Sequence, residues 1–152
     1  MNIYNTYDKK GQDKVLKILP KLFSGYTLNI EQHIEDNGKV DIFMSASTET
    51  KLYKYAIEAK DRWHPHTAFA DEGWILEEDK YIELMEYYKQ GYRPIYFNTF
   101  NDGTYVVWDV SKCKFTKGSK TSRRKTVEDK GKVTRDRLFV KVADCTCSGT
   151  TS

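Results

Sequence analysis

Cysteine and uninterrupted apolar runs are scarce in this 152-residue chain, and each shortage excludes a class of protein. The three cysteines, Cys113, Cys145 and Cys147, are odd in number, and the last two form CTC and not the CxxC of a zinc knuckle. They read as free thiols, with no disulfide framework. Nowhere do about 18 apolar residues run together as a membrane span needs, and the opening MNIYNTYDKK lacks the apolar stretch of a secretory leader. The expectation is a soluble, intracellular protein of the cytoplasm. No internal repeat is evident. At 39% hydrophobic content the chain can bury one compact core, which predicts a single domain over 1–142 and a disordered Ser/Thr-rich tail at 143–152.

The net charge of +3 hides a strong polarity along the chain. Residues 1–110 carry 13 Lys/Arg against 18 Asp/Glu, whereas 111–142 carry 12 against 3, a net of +9. A basic block of this kind, SKCKFTKGSKTSRRKTVEDKGKVTRDR, either contacts a polyanion such as a nucleic acid backbone or is simply a solvated segment.

Periodicity supplies the elements. GQDKVLKILPKLF at 11–23 sets Val15, Leu16, Ile18, Leu19 and Leu22 at helical spacing, with Pro20 expected to kink or shorten the helix. YTLNIEQHI (26–34), VDIFMSA (40–46) and LYKYAIEAKDR (52–62) read as three strands, and the turn chemistry of EDNG favours an antiparallel meander. The stretch 63–74 reads as irregular. A second helix is predicted over 75–91, with Tyr81, Leu84, Met85 and Tyr88 on one stripe and Gly91 as its stop. RPIYFNTF and TYVVWDV then form a hairpin across NDG, and RLFVKV at 137–142 is a candidate edge strand. This order predicts an α/β sandwich around a mixed sheet.

Within that frame, KYAIEAKD at 54–61 matters most. Alternation puts Glu58 and Lys60 on one face of their strand, and an antiparallel neighbour carrying Asp41 brings a second carboxylate to the same point. Two carboxylates suit Mg²⁺, a hard cation that retains activatable waters, and a nearby lysine can orient or deprotonate the attacking water. An ExK tripeptide alone also arises by chance, as a charged pair on the solvated face of a strand.

With Val40-Asp41 on the second strand and Glu58-Ala59-Lys60 on the third, the sequence resembles the PD-(D/E)XK nuclease superfamily over about residues 10–110, although the motif proline is replaced by Val40. The resemblance implies a restriction-endonuclease-like α-β-β-β-α-β core, a mixed sheet flanked by helices. It further implies that Asp41, Glu58 and the carbonyl of Ala59 bind Mg²⁺ or Mn²⁺, that Lys60 positions or activates water for phosphodiester hydrolysis, and that the partner is DNA, with RNA not distinguished. Members often act as dimers, so a homodimer is a further implication.

Other positions carry a functional and a plainer reading side by side. Asp13 is the acid the first helix offers to the site, or a helix-start charge favoured by the dipole. Glu31 is a candidate at the site edge or an exposed strand residue. Glu77 and Lys80 lie three apart and share a helix face, at the site edge or as a surface ion pair. His64 and His66 in WHPH lack further metal ligands at recognised spacing. Trp63, Thr67, Phe69 and Trp74 are candidates for a closing loop or for core packing. Arg123, Arg124 and Lys125 are the candidate DNA-binding cations. The expected activity is a metal-dependent endonuclease; the alternatives are a non-catalytic nucleic-acid-binding module on the same fold and a protein-interaction domain with an incidental ExK.

Overall fold

A computed structural model describes residues 3–33, 40–63, 73–123, 132–140 and 147–150. Helix α1 (Ile3–Leu22) is followed by strands β1 (Thr27–Gln32), β2 (Ile42–Ser47) and β3 (Leu52–Arg62). Next come β4 (Trp74–Glu77), helix α2 (Glu78–Lys89) and the hairpin of β5 (Arg93–Phe100) and β6 (Thr104–Asp109). Strands β7 (Thr116–Arg123), β8 (Lys132–Val140) and β9 (Cys147–Thr150) complete the chain.

Six strands form one sheet in the order β1-β2-β3-β5-β6-β9, and β4-β8-β7 form a second. The first three are antiparallel neighbours, with Ile42 opposite Ile57, while β3 and β5 run parallel with Ile57 beside Ile95. The sheet is therefore mixed, as expected of the α/β class.

Register decides what each face carries. Ile42, Met44, Ile57, Ile95, Phe97 and Val107 share one face and pack against Val15, Ile18 and Leu19 of α1. Burying each such aliphatic side chain contributes about 1.5–3 kcal/mol. Ala56, Tyr96, Val106 and Trp108 share the other face, under Leu84 of α2 and the inner residues of the second sheet, Trp74, Leu76, Leu138 and Val140.

Several boundaries differ from the sequence expectation. Helix α1 starts at Ile3, and Pro20 falls in its last turn, so the helix runs only two residues beyond the proline, whose missing amide hydrogen removes one bond of the ladder. Residues 74–77, split between an irregular stretch and the start of α2 in the sequence reading, form β4, whose alternation buries Trp74 and Leu76 against β8. Tyr88 is 41% exposed and falls outside the buried stripe of α2, whose C-cap Gln90 is followed by Gly91 with φ 97°. The candidate edge strand at 137–142 corresponds to the end of β8, which lies in the middle of the second sheet. In the tail expected to be disordered, residues 147–150 pair with β6 and satisfy its outer backbone edge. No helix among the described residues is long and apolar enough to cross a membrane.

Candidate active site

Two strand ends and the first turns of α2 converge on Glu58. The antiparallel register sets Ile42 opposite Ile57, and Asp41, the residue just before β2, comes near enough to Glu58 for its charge to act there. The backbone then locks Asp41 in place: its carbonyl accepts the His33 amide at 2.7 Å, and its Oδ2 accepts the Ala59 amide at 2.9 Å. In an antiparallel strand the amide and carbonyl of one residue project to the same side, so the Ala59 carbonyl shares the Asp41 side of β3.

The Glu58 side chain is only 12% exposed. Its Oε1 lies 3.7 Å from Lys80 Nζ, while Oε2 is buried with no hydrogen-bond partner among the described residues. Burial first, then the neighbouring Asp41 and Glu83 charges, hold this carboxyl well above the usual carboxylate range, with Lys80 and Lys60 pulling the other way. For Lys80, burial works against the charged form, but Glu58, Glu83, Asp41 and Asp79 outweigh it and the ammonium is strengthened. A carboxyl burdened in this way, with one oxygen unpartnered, gains most from a cation.

Asp41, Glu58, Lys60 and Lys80 thus come together at one place. Lys60 is exposed and shares the Glu58 face of β3. Among the described residues no group of three or more His, Cys, Asp or Glu side chains is gathered to hold a metal. The donor set available is two carboxylates and a carbonyl, which suits Mg²⁺ or Mn²⁺ because such ions keep several waters. The residues fit the ion.

Other candidates stand apart. Asp13 is half-buried, and the residue of α1 turned inward beside it is Gln12, 1% exposed, which donates to the His33 carbonyl at 3.0 Å. Glu31 is 72% exposed on β1, its carboxylate 3.2 Å from His33 Nε2. Glu77 ends β4 at the N-cap of α2, and its charge is felt at Tyr96. Trp63 is exposed and Trp74 is core. His64, His66, Thr67, Phe69, Arg124 and Lys125 lie outside the described residues, and Arg123 is the last residue of β7.

Two features escaped the sequence reading. Glu83, one turn beyond Lys80, has a buried Oε1 without a hydrogen-bond partner among the described residues, and its charge acts on both Glu58 and Lys80. The signal was the i, i+3 spacing of Lys80 and Glu83, the same spacing credited to Glu77 and Lys80. The second is a polar network beside the site. Arg62 donates to Asn98 Oδ1 at 2.8 Å, and to the Ile75 carbonyl and Tyr96 hydroxyl at 2.6 Å each. Tyr96 and Asn98 flank Glu58 and Lys60 in the β3–β5 register, so this network clamps the strand that carries both.

No family model matches the chain, and no curated protein matches it in sequence. Among solved structures it is similar to Hjc of Archaeoglobus fulgidus, a Holliday junction resolvase from an archaeal hyperthermophile, with a TM-score of 0.50 and 14% identity over 89% of this chain and 87% of that one. Hjc has the restriction-endonuclease-like architecture, a mixed sheet between helices. The likeness shows a restriction-endonuclease-like fold for this chain. On this fold, the acid before β2 and the ExK of β3 meet at the end of the sheet that α2 covers.

Proposed function

We propose that the protein hydrolyses phosphodiester bonds of DNA with the help of Mg²⁺ or Mn²⁺. The observation that carries this reading is the convergence of Asp41 and Glu58 beside Ala59, with Glu58 Oε2 buried and unpartnered among the described residues. Asp41, Glu58 and the Ala59 carbonyl would hold the ion, which supplies Lewis acidity and an activated water. Asp41 is pre-positioned by the Ala59 amide, so little reorganisation is needed when the ion arrives. Glu58 must release its proton to serve as a ligand, which couples ion binding to pH. Lys60, exposed on the same face, orients or deprotonates the attacking water. Lys80 balances the negative charge of Asp41, Glu58 and Glu83 and stands within reach of a phosphate entering beside Glu58.

Supercoiled plasmid incubated with the protein in Mg²⁺, Mn²⁺ or EDTA tests this, with Asp41→Ala and Lys60→Ala in parallel. Metal-dependent nicking or linearisation abolished by both substitutions is the expected result. Metal-independent, salt-sensitive binding to every nucleic acid offered, with no cleavage, overturns it in favour of a non-catalytic binding module.

A further inference from the structure

The face of the sheet that carries Glu58 and Lys60 also carries a cleft that the catalytic groups do not use. Side chains alternate along β3, so Lys54 shares that face and lies about 13 Å from Glu58 at about 3.3 Å per residue. Register sets Asn29 beside Ser45 and Ser45 beside Lys54 in one row, and Glu31 beside Phe43 in the next. Together with Tyr92, which follows Gly91 after α2, these five residues line a cavity of about 170 Å³.

Its walls differ in chemistry. Phe43 is held edge-on by His33, Tyr87 and Tyr92, with ring centroids 5.4, 4.9 and 5.4 Å away. Lys54 is exposed, and its ammonium stands 5.7 Å from the centroid of the Tyr92 ring. Asn29 is exposed on β1, and Ser45 lies between it and Lys54, so neutral donors and acceptors face the cation across the cleft. The Glu31 carboxylate is also on the β1 side and sits 3.2 Å from His33 Nε2. Lys54 is therefore the end of the cleft that suits an anion.

Aromatic surface, neutral hydrogen-bonding groups and one cation are what a single nucleotide offers contacts to: a flat ring, a polar edge and a phosphate. Size agrees with one ring. A cavity of about 150 Å³ accommodates benzene, whereas pockets for drug-sized ligands start at about 300 Å³. A base stacked and paired inside a duplex has its faces and edge taken and must leave the stack to enter such a site. We infer that this cleft binds one unpaired nucleotide of a DNA strand, its base against Phe43 and Tyr92, its edge toward Asn29 and Ser45, and its phosphate toward Lys54. The inference rests on the nuclease reading for DNA as the substrate and deepens it. The substrate class it names is DNA with an unpaired nucleotide about 13 Å from the cut, as at a frayed end, a flap or a gap, in preference to continuous duplex.

Fluorescence anisotropy of the full chain in EDTA, with a mixed-sequence DNA single strand and a blunt DNA duplex, tests the cleft without requiring cleavage. Two variants are compared with the parent. Asn29→Ala with Lys54→Ala changes only exposed side chains, and Tyr92→Leu keeps an apolar contact for Phe43 but removes the ring beneath Lys54. Each is expected to weaken single-strand binding about 10-fold and to leave duplex binding within about 2-fold of the parent, while Lys54→Arg binds both like the parent. A parent that does not bind the single strand, single-strand affinity unchanged in both variants, or an equal loss on single strand and duplex overturns the inference. A chain that binds the single strand through the cleft but cuts neither plasmid nor a flapped duplex in Mg²⁺ or Mn²⁺ keeps the cleft and rejects the nuclease. One that cuts plasmid through Asp41 and Lys60 while its single-strand binding ignores both variants does the reverse.

Discussion

The two faces of the six-stranded sheet are built to opposite rules. Toward α1 the sheet presents Ile42, Met44, Ile57, Ile95 and Phe97 to Val15, Ile18 and Leu19, while Lys14 and Thr99 meet Asp61 at 2.9 Å each near the end of β3. Toward α2 the same strands present Glu58, Lys60, Arg62, Tyr96 and Asn98, facing Lys80 and Glu83. Apolar burial is favourable at every pH, whereas a buried carboxyl without a full set of partners is costly once ionised. Both faces bury an apolar core, and the one toward α2 gives up part of that stability for chemistry.

The sharpest way to break this contrast is to substitute one residue on each face. Glu58→Gln should cut metal-dependent DNA cleavage about 10³-fold while stabilising the metal-free protein. The sign follows from linkage. Because the folded state raises the Glu58 pKa, its contribution to stability is present below the unfolded pKa and is lost as pH rises through the folded one. Above that point the glutamate is an ionised buried group, and glutamine removes the charge. Calorimetry in EDTA should show the variant melting about 2–4 °C higher at alkaline pH, with the gain gone in acid. Leu19→Ala should do the opposite: a loss of about 2–5 kcal/mol in denaturant unfolding, with cleavage per folded molecule unchanged. A Glu58→Gln protein less stable than the parent at alkaline pH would show that the carboxylate stabilises its own site.

A smaller effect is expected at the clamp between the faces. Arg62→Met keeps the bulk of the side chain but strips the Tyr96 hydroxyl and Asn98 Oδ1 of a charged donor, and Asn98 is fully buried. We expect a loss of about 2–3 kcal/mol in a urea titration, with cleavage falling because β3 carries Glu58 and Lys60. A variant as stable as the parent would mean that Tyr96 and Asn98 find other partners on this face.

Much of this arrangement is legible in the sequence, and what is not has a physical reason. Strand β3 runs over the expected residues 52–62, and β5 likewise at 93–100, because runs rich in aromatic and apolar residues between turn residues define them locally. The nearness of Asp41 to Glu58 follows from antiparallel register alone. Residues on helices are harder. Each residue turns the helix by about 100°, so Gln12 and not Asp13 faces inward, and a helix that begins at Glu78 pairs Lys80 with Glu83 while leaving Glu77 on a strand. The second sheet was least legible: β4 is four residues long, and its partner β8 lies over fifty residues away in sequence, a pairing that no local pattern announces.

Lys80 offers the finest test, since it belongs to α2 but acts on β3. Its ammonium sits 3.7 Å from Glu58 and favours the ionised carboxylate. Without it, Glu58 holds its proton to higher pH, and the ligand needed for ion binding becomes available later in a titration. Lys80→Ala should therefore lower cleavage at neutral pH about 5-fold, the size of a contact of about 1 kcal/mol, and recover toward the parent rate as pH rises. Lys80→Arg should keep the parent profile. Plasmid nicking measured across pH at fixed Mn²⁺ separates two roles for this residue. A shifted profile means that Lys80 acts through Glu58, whereas a uniform loss at every pH means that it acts on the substrate phosphate directly, and the polar face would then be a phosphate cradle as well as an ion site.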